Sequence, residues 1–499
     1  MAASETDYLI IGAGAVGLAF ADTLLDEDPD CHITFVDKHA RPGGHWNDAY
    51  SFVALHQPSA FYGVNSMDFG DDVVDDHGPN KGLFPLASGA EVSAYFSHLM
   101  KRRFLPSGRV SYHPLSEYLG NENGIGRFKS ILSGKESAIK IRRKMVDGTF
   151  YKTSVPATHK RKFSVAGDTP LAIPGQLPDL WMRGDDLPSH YVILGAGKTA
   201  MDAGVWLLEA GVDADRISWV RPRDSWLINR TYTQPGPDFF EAVVENQIAQ
   251  LNAAAEAATG DEMFETMGRG GYMLRLDPSV KPEMFHYATI SEGEVALLRQ
   301  ITRVIRHGRV RAIARGKMVF ADCEETVPED ALFIDCTATA VDFHEYNAQV
   351  PLFDGDRITL QALHVPLVTL SAAVAAFIEA NFEGDEAKNA LARPGPLTDT
   401  PNSYALALLA NMMNRGAWSK DPKISAWLAR SRLDPSGPTI TQLAKEGSPK
   451  LAILGSFQAA IANAMPGLQR LAVAARAEHD AKRADVRQKK DIHHPDRIV

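Results

Sequence analysis

An α/β fold with two separate parallel-sheet units and a mostly helical C-terminal part follows from three observations on this 499-residue chain. A glycine fingerprint near the start reads Asp7-Tyr-Leu-Ile-Ile-Gly12-Ala-Gly14-Ala-Val-Gly17, and a second reads Tyr191-Val-Ile-Leu-Gly195-Ala-Gly197-Lys-Thr-Ala200. Each follows an apolar strand, opens an amphipathic helix and meets a second strand rich in β-formers, at residues 32–36 and 216–220. From about residue 365 onward, apolar residues recur at helical spacing over 370–382, 401–413, 424–429 and 469–481, with Pro or Gly between.

Each fingerprint has a physical meaning. Gly12 and Gly195 make the tight turn, while Gly14 and Gly197 let the backbone approach a pyrophosphate with no Cβ in the way. The helix that follows aims its unpaired N–H groups and positive dipole end at the same place. Both units are therefore expected to be Rossmann-like and to bind dinucleotides. Their far ends differ. Asp37 follows the second strand of the first unit, where a carboxylate accepts from ribose hydroxyls and repels a 2′-phosphate. Arg221 and Arg223 stand at the matching place in the second unit, where a guanidinium takes a 2′-phosphate bidentately. The second site is thus expected to favour NADPH, with NADH as the alternative donor, and Lys198, Thr199 and Ala200 form its first helical turn.

Beyond Asp37 the chain continues Lys38-His-Ala-Arg41-Pro-Gly43-Gly44-His45-Trp46. The acid, the short basic loop, the Gly-Gly pair and the Trp together resemble the FAD-binding half of class B flavoprotein monooxygenases, which include flavin-containing, Baeyer–Villiger and N-hydroxylating enzymes. Val165-Ala-Gly167-Asp-Thr169-Pro170 with Ile173-Pro174-Gly175 resembles the crossover between the two domains of that family. Asp330-Ala-Leu-Phe-Ile-Asp335-Cys336-Thr337-Ala338 resembles the strand where the chain returns to the flavin, with Ala338 in place of glycine.

The resemblance covers about residues 5–340 and implies a domain plan. An FAD domain spans 5–165 with a return segment at 330–400, and an NADPH domain spans 170–329 with a helical insert at about 236–300. A helical region, 401–499, ends in a charged tail. FAD is held by Gly12, Gly14, Gly17, Asp37, Lys38, Gly43, Gly44, His45 and Trp46, and by Thr337 and Ala338 on the return. Short strands of a β-meander are expected at 149–155 and 162–166. The helix expected over 238–258 either covers the nicotinamide side or serves packing or a homodimer contact. The C-terminal part packs over the flavin and shapes the substrate pocket.

The implied activity is that of an FAD-dependent, NADPH-using oxidoreductase, a monooxygenase acting on a small organic substrate with dioxygen through a peroxyflavin. In such enzymes the stretch matching residues 46–63 lies along the flavin ring, which places His56, Gln57 and Ser59 as the catalytic candidates, with His45 behind them. The Phe-x-Gly-x-x-x-His pattern of these monooxygenases is absent between Phe163 and Tyr191. A reductase or dehydrogenase without oxygen insertion, and a non-catalytic flavin-binding redox protein, therefore stand as alternatives. Cys31, Cys323 and Cys336 form no close pair, which excludes a flavin-to-dithiol relay.

Composition sets the remaining bounds. With 45% hydrophobic and 23% charged residues the chain has the make-up of a globular protein. A net charge of −10 argues against nucleic acid or an anionic membrane as partner. Three cysteines build no disulfide framework, the polar start carries no signal sequence, and the apolar stretch 451–466 is interrupted by Gln458, Asn463 and Pro466. A cytoplasmic enzyme with no membrane span is expected. No metal-binding His or Cys pattern and no Gly-x-Ser-x-Gly elbow occurs, and His493-His494 is expected at the surface of the tail.

Overall fold

A computed structural model describes residues 4–71, 73–184, 186–341 and 350–493. The charged tail beyond residue 480 and the pair His493-His494 lie outside the described side chains.

The chain opens with β1 (Ser4–Ile11), α1 (Ala15–Glu27) and β2 (Ile33–Val36). Leu9, Ile10, Phe35 and Val36 are buried, as expected of parallel strands covered on both faces. After α2 (Gly89–Leu99), closed by a Ser88–Glu91 capping box, comes β3 (Val110–His113) beside β2. An antiparallel meander follows: β4 (Ser116–Glu122), β5 (Ile125–Ser130) and the long β6 (Glu136–Asp147). β6 also pairs parallel with β1, Tyr8 opposite Lys144 and Ile11 opposite Asp147. The meander therefore lies earlier than expected. Residues 149–155 make turns with no strand, whereas β5 alternates exposed and buried side chains, the period-two pattern that marks a strand with one wet face.

The second unit begins with β7 (Ser164–Val165) and β8 (Leu171–Ala172) and reaches its fingerprint in β9 (Tyr191–Leu194) and α3 (Lys198–Glu209). β10 (Ile217–Val220) pairs parallel with β9. An excursion then carries β11 (Ser225–Asn229), α4 (Phe240–Glu256), α5 (Gly260–Arg269), β12 (Met273–Leu274), β13 (Met284–Ile290) and α6 (Glu292–Leu298). β14 (Arg303–Ile305) returns to the parallel sheet, and β15 (Ala312–Ala314), β16 (Lys317–Val319) and β17 (Glu324–Thr326) form a small sheet with β7.

The strand expected to return to the first unit does something else. β18 (Leu332–Asp335) lies between β9 and β8 in the second sheet, Leu332 opposite Tyr191 and Asp335 opposite Leu194. All four of its residues are buried, which suits an inner position in a parallel sheet and corrects the boundary at 330. The return comes later, with β19 (Phe353–Asp354), β20 (Arg357–Thr359) and α7 (Val368–Asn381). β20 pairs parallel with β6, and α7, apolar nearly all round, is buried against α1.

The rest is helical, as expected: α8 (Asp385–Leu391), α9 (Pro401–Lys420), α10 (Pro422–Leu428), α11 (Gly437–Lys445) and α12 (Ile453–His493). Phe264, Phe285, Tyr404 and Leu468 share one apolar cluster that joins the excursion to α9 and α12. A Cβ on Gly467 would lie 2.4 Å from the Ala254 carbonyl oxygen, so the backbones of α12 and α4 touch there. Pro466 does not break α12. It sits on the exposed side of the helix. By length and composition the window Pro449–Glu478, mean hydropathy 1.3, is long and apolar enough to cross a membrane, against the interruption expected at 451–466.

Candidate active site

A cavity of about 950 Å³ opens at the carboxyl ends of β1, β2 and β6 and runs to the excursion and α9. The crevice beyond the strand ends is where ligands bind in open parallel sheets. Gly12 turns the chain with φ +93°, and a Cβ on it would meet the Thr149 methyl at 2.8 Å. Gly14 caps α1, and a Cβ on Gly44, at φ +58°, would lie 3.0 Å from the Gly14 Cα. The fingerprint and the Gly-Gly pair are thus one structure, two backbone runs in contact. Gly17 seats α1 on β1, since its Cβ would fall 2.3 Å from the Gly12 carbonyl oxygen.

Asp37 ends β2 inside this cradle. Its carboxylate accepts from the Ala13 N–H at 2.6 Å and the His39 N–H at 2.7 Å, and it faces His39 Nδ1 at 2.9 Å. His39 Nε2 reaches Asp48 at 3.0 Å, and the two carboxylates raise the His39 pKa, the Asp37 hydrogen bond most of all. Lys38, His45, Trp46, His56 and Gln57 line the cavity. Trp46 donates its indole N–H to the Tyr62 hydroxyl at 2.8 Å and stacks on His45. Desolvation pushes the His45 imidazole down to about 4, and desolvation and the Lys198 charge lower His56 as well, although its side chain is open to the cavity, so neither is charged at pH 7. The Gln57 amide donates to the Phe61 carbonyl at 2.9 Å, and the His56 carbonyl accepts from the Thr289 hydroxyl. Ser59 departs from expectation. It is buried away from the cavity, where its hydroxyl accepts from the Ala87 N–H at 3.0 Å.

The far wall comes from segments that carry no motif. α4 contributes Val243, Asn246, Gln247 and Gln250, and β13 contributes His286, Tyr287 and Thr289. Tyr287 has φ +58°, where its pairing with β11 shifts register, a strained backbone position of the kind that persists at ligand sites. The Gln250 amide donates to the Tyr404 hydroxyl of α9 at 2.9 Å.

The second fingerprint stands outside this cavity. Gly195 turns with φ +122° and packs on the Cys336 carbonyl, a Cβ there lying 2.6 Å from that oxygen. Gly197 caps α3 with open space beside it. Lys198, in the first turn of α3, is paired with Asp202 and lies 3.9 Å from Glu294. Ala200 is buried. Arg221 is only 4% exposed, lies over the Trp219 ring and pairs with Asp224 at 3.3 Å, while Arg223 is exposed. Thr337 donates its hydroxyl to Asp335 at 2.6 Å, and neither it nor Ala338 lines the cavity. The two units meet through residues 50–56. Tyr50 donates to Asp202 at 2.7 Å, Phe52 stacks on Trp206, and the Lys198 charge acts on His56.

Residues 10–68 match the family model described as an NAD(P)-binding Rossmann-like domain. Over 473 residues, 95% of this chain and 86% of the relative, the sequence is 39% identical to "Uncharacterized protein Rv2000" of Mycobacterium tuberculosis. The chain belongs to the Rv2000 family. Its fold is also similar to a flavin-containing monooxygenase from Stenotrophomonas maltophilia, at 13% identity, TM-score 0.42, and 75% and 98% of the two chains. A polycyclic ketone monooxygenase from Thermothelomyces thermophila is similar at 13% identity, TM-score 0.45, and 95% and 88% coverage.

In this Rv2000-family member the residues expected around FAD, from Gly12 to Trp46, do come together. Thr337 and Ala338 stand instead at the end of the second sheet, beside Gly195. Of the residues expected around NADPH, Gly195 to Ala200 share one strand-to-helix turn, while Arg221 and Arg223 follow β10, with Arg221 committed to Asp224. The aromatic and amide wall was missed. Asn246, Gln247 and Gln250 stand on a helix that also carries Glu241, Glu245, Asn252 and Glu256, so nothing in the sequence singles them out.

Proposed function

We propose that the chain is an FAD-dependent, NAD(P)H-using oxidoreductase, and of that kind a monooxygenase acting with dioxygen on a small organic substrate in a reducing, cytoplasmic setting. The observation that carries this is the continuity of the Gly12–Gly14–Gly44 cradle with a roomy cavity lined at its far end by α4, β13 and α9.

The cradle fits the adenine-dinucleotide half of FAD. Gly14 and the start of α1 give a pyrophosphate room and unpaired N–H groups, and Asp37, already fixed by Ala13 and His39, keeps lone pairs for ribose hydroxyls. The α3 turn fits a second pyrophosphate, because the space beside Gly197 is open. Arg223 supplies the exposed guanidinium for a 2′-phosphate, and Arg221 sits behind it with Asp224. When bound, FAD supplies the two-electron redox chemistry, with NAD(P)H as hydride donor.

The chain's own groups bind, orient and exclude water. Neutral His56 and His45 offer one donor and one acceptor each without adding charge, so they can hold a proton at the ring edge. Trp46 and Tyr62 form a wall, and the excursion with α9 covers the room, as a reaction harmed by water requires. The excursion serves here as part of the cavity wall.

The test mixes purified protein with NADPH under air while flavin absorbance and oxygen uptake are followed. The expected result is a yellow protein whose colour bleaches and recovers, with substrate-stimulated oxygen uptake matching the NADPH oxidised. Bleaching that persists until a quinone is added replaces the monooxygenase with a reductase. A colourless protein that takes up no FAD overturns the proposal.

A further inference from the structure

The two ends of the cavity differ in charge. Near the fingerprint it is lined by Asp37, Lys38, Asp48, Glu117 and Lys152, in keeping with a polar nucleotide. Among the described residues lining it from Ile228 to Pro435, none is Asp, Glu, Lys or Arg. Two histidines stand there. Burial pushes His364 down to about 3 and also lowers His286, whose nearest charges, Asp399 and Arg223, act on it with opposite sign. An ion entering this end would lose its water with no charged side chain among the described lining residues to receive it, at a cost of several kcal/mol.

What the far end offers is ring surface and one amide face. Tyr232 and Tyr272 lie with ring centres 4.8 Å apart, and Tyr287 and Tyr404 at 6.0 Å. On α4, Asn246 and Gln250 are one turn apart and face the same space. Gln250 is held by Tyr404. Asn246 has its Oδ1 buried with no hydrogen-bond partner, closed to the cavity as to water, so the amide's nitrogen is the end a ligand meets unless the group flips. The nitrogen and oxygen of an amide exchange by a flip, so a hydroxyl, which both donates and accepts, suits it in either orientation.

We propose that this end of the cavity takes an uncharged ring compound bearing a hydroxyl, seated between the tyrosines with its hydroxyl on Asn246. The inference rests on the proposed function only in taking this end as the substrate's place, and binding tests it without turnover. Full-length protein as purified is dialysed to equilibrium against naphthalene, 2-naphthol and 2-naphthoate, one ring system in three states. 2-Naphthol is expected to bind about tenfold tighter than naphthalene, the worth of one satisfied buried hydrogen bond. It should bind more than about a hundredfold tighter than 2-naphthoate, whose charge is uncompensated. Asn246→Leu should bring 2-naphthol down to the level of naphthalene, and Asn246→Ser, smaller and still polar, should keep part of the preference.

Naphthoate binding within tenfold of naphthol overturns the proposal, as does no binding by any of the three. A naphthol preference untouched by Asn246→Leu overturns the seat on α4. Binding in the expected order without NADPH-driven oxygen uptake would remove the monooxygenase assignment and leave this inference standing.

Discussion

The two fingerprints share a spelling and differ in surroundings. In the first, Gly12, Gly17 and Gly44 are enforced by backbone or side-chain neighbours, a Cβ on Gly14 would meet Gly44 only at 3.6 Å, and the turn opens into the cavity beside a fixed carboxylate. In the second, Gly195 is enforced, Gly197 is free, and the charges around the helix start are balanced within the protein by Lys198, Asp202 and Glu294. A shared motif therefore fixes a turn, while the ligand is chosen by what the rest of the chain builds around it.

The contrast breaks most sharply at the glycines. Gly17→Ala puts a Cβ 2.3 Å from a backbone oxygen, where no side chain can yield. It should cost about 3 kcal/mol, the upper range for overpacking, and strip the flavin absorbance. Gly197→Ala meets nothing and has φ −84°, so urea unfolding should move by less than about 0.5 kcal/mol. Its added methyl should instead raise KM for NADPH by hindering the approach of a pyrophosphate. A protein that tolerates Gly17→Ala with its colour intact removes the distinction.

The arginines sharpen the second site. Arg221→Ala leaves Asp224 buried with only Arg306, at 3.2 Å, and should cost about 3 kcal/mol in urea unfolding. Arg223→Ala, at an exposed position, should leave stability unchanged and raise KM for NADPH well above any change for NADH. Equal effects on both coenzymes would show that Arg223 meets no 2′-phosphate.

Both fingerprints and the helical C-terminal part were legible because they depend on local rules: a turn that needs glycine, an apolar strand, helical spacing. The FAD-side residues from Gly12 to Trp46 come together for the same reason, lying within one turn-helix-strand-loop unit. What failed was long-range. β18 reads alike whether it belongs to the first or the second sheet, because a four-residue apolar strand carries no mark of its neighbours. Ser59 looked reactive beside His56 and Gln57, yet the backbone turns it away to satisfy Ala87. The cavity's far wall draws on α4, β13 and α9, which are far apart in sequence and meet only through packing.

The histidines of the first unit include both a lowered and a raised group, which gives its stability two opposite pH limbs. His45 is lowered to about 4, so there the unfolded chain takes up a proton below about 6.5 and the folded one does not, while His56, open to the cavity, adds less. Stability should therefore fall as pH drops from 6.5 toward 4. His39 is raised, so its contribution is full below about 6.5 and fades as pH rises through its folded value. Urea midpoints between pH 4 and 9, a range set about these values, should show both limbs. His45→Gln should flatten the acid limb and Asp48→Asn the alkaline one, and a profile unchanged by His45→Gln would place its imidazole in water.

The smallest effect belongs where the two units touch. Tyr50→Phe deletes the hydroxyl that reaches Asp202 and keeps the ring against Phe52. Asp202 retains Lys198, so no charge is stranded, and the loss should be about 1 kcal/mol, one net hydrogen bond. Because the bond crosses from the flavin-side loop to the start of α3, its loss should slow NADPH-driven reduction while flavin content stays constant. Stopped-flow reduction beside the absorbance ratio of the purified protein separates the two. A reduction rate unchanged in Tyr50→Phe, with the expected fall in stability, would make the contact a packing bond rather than a link between the sites.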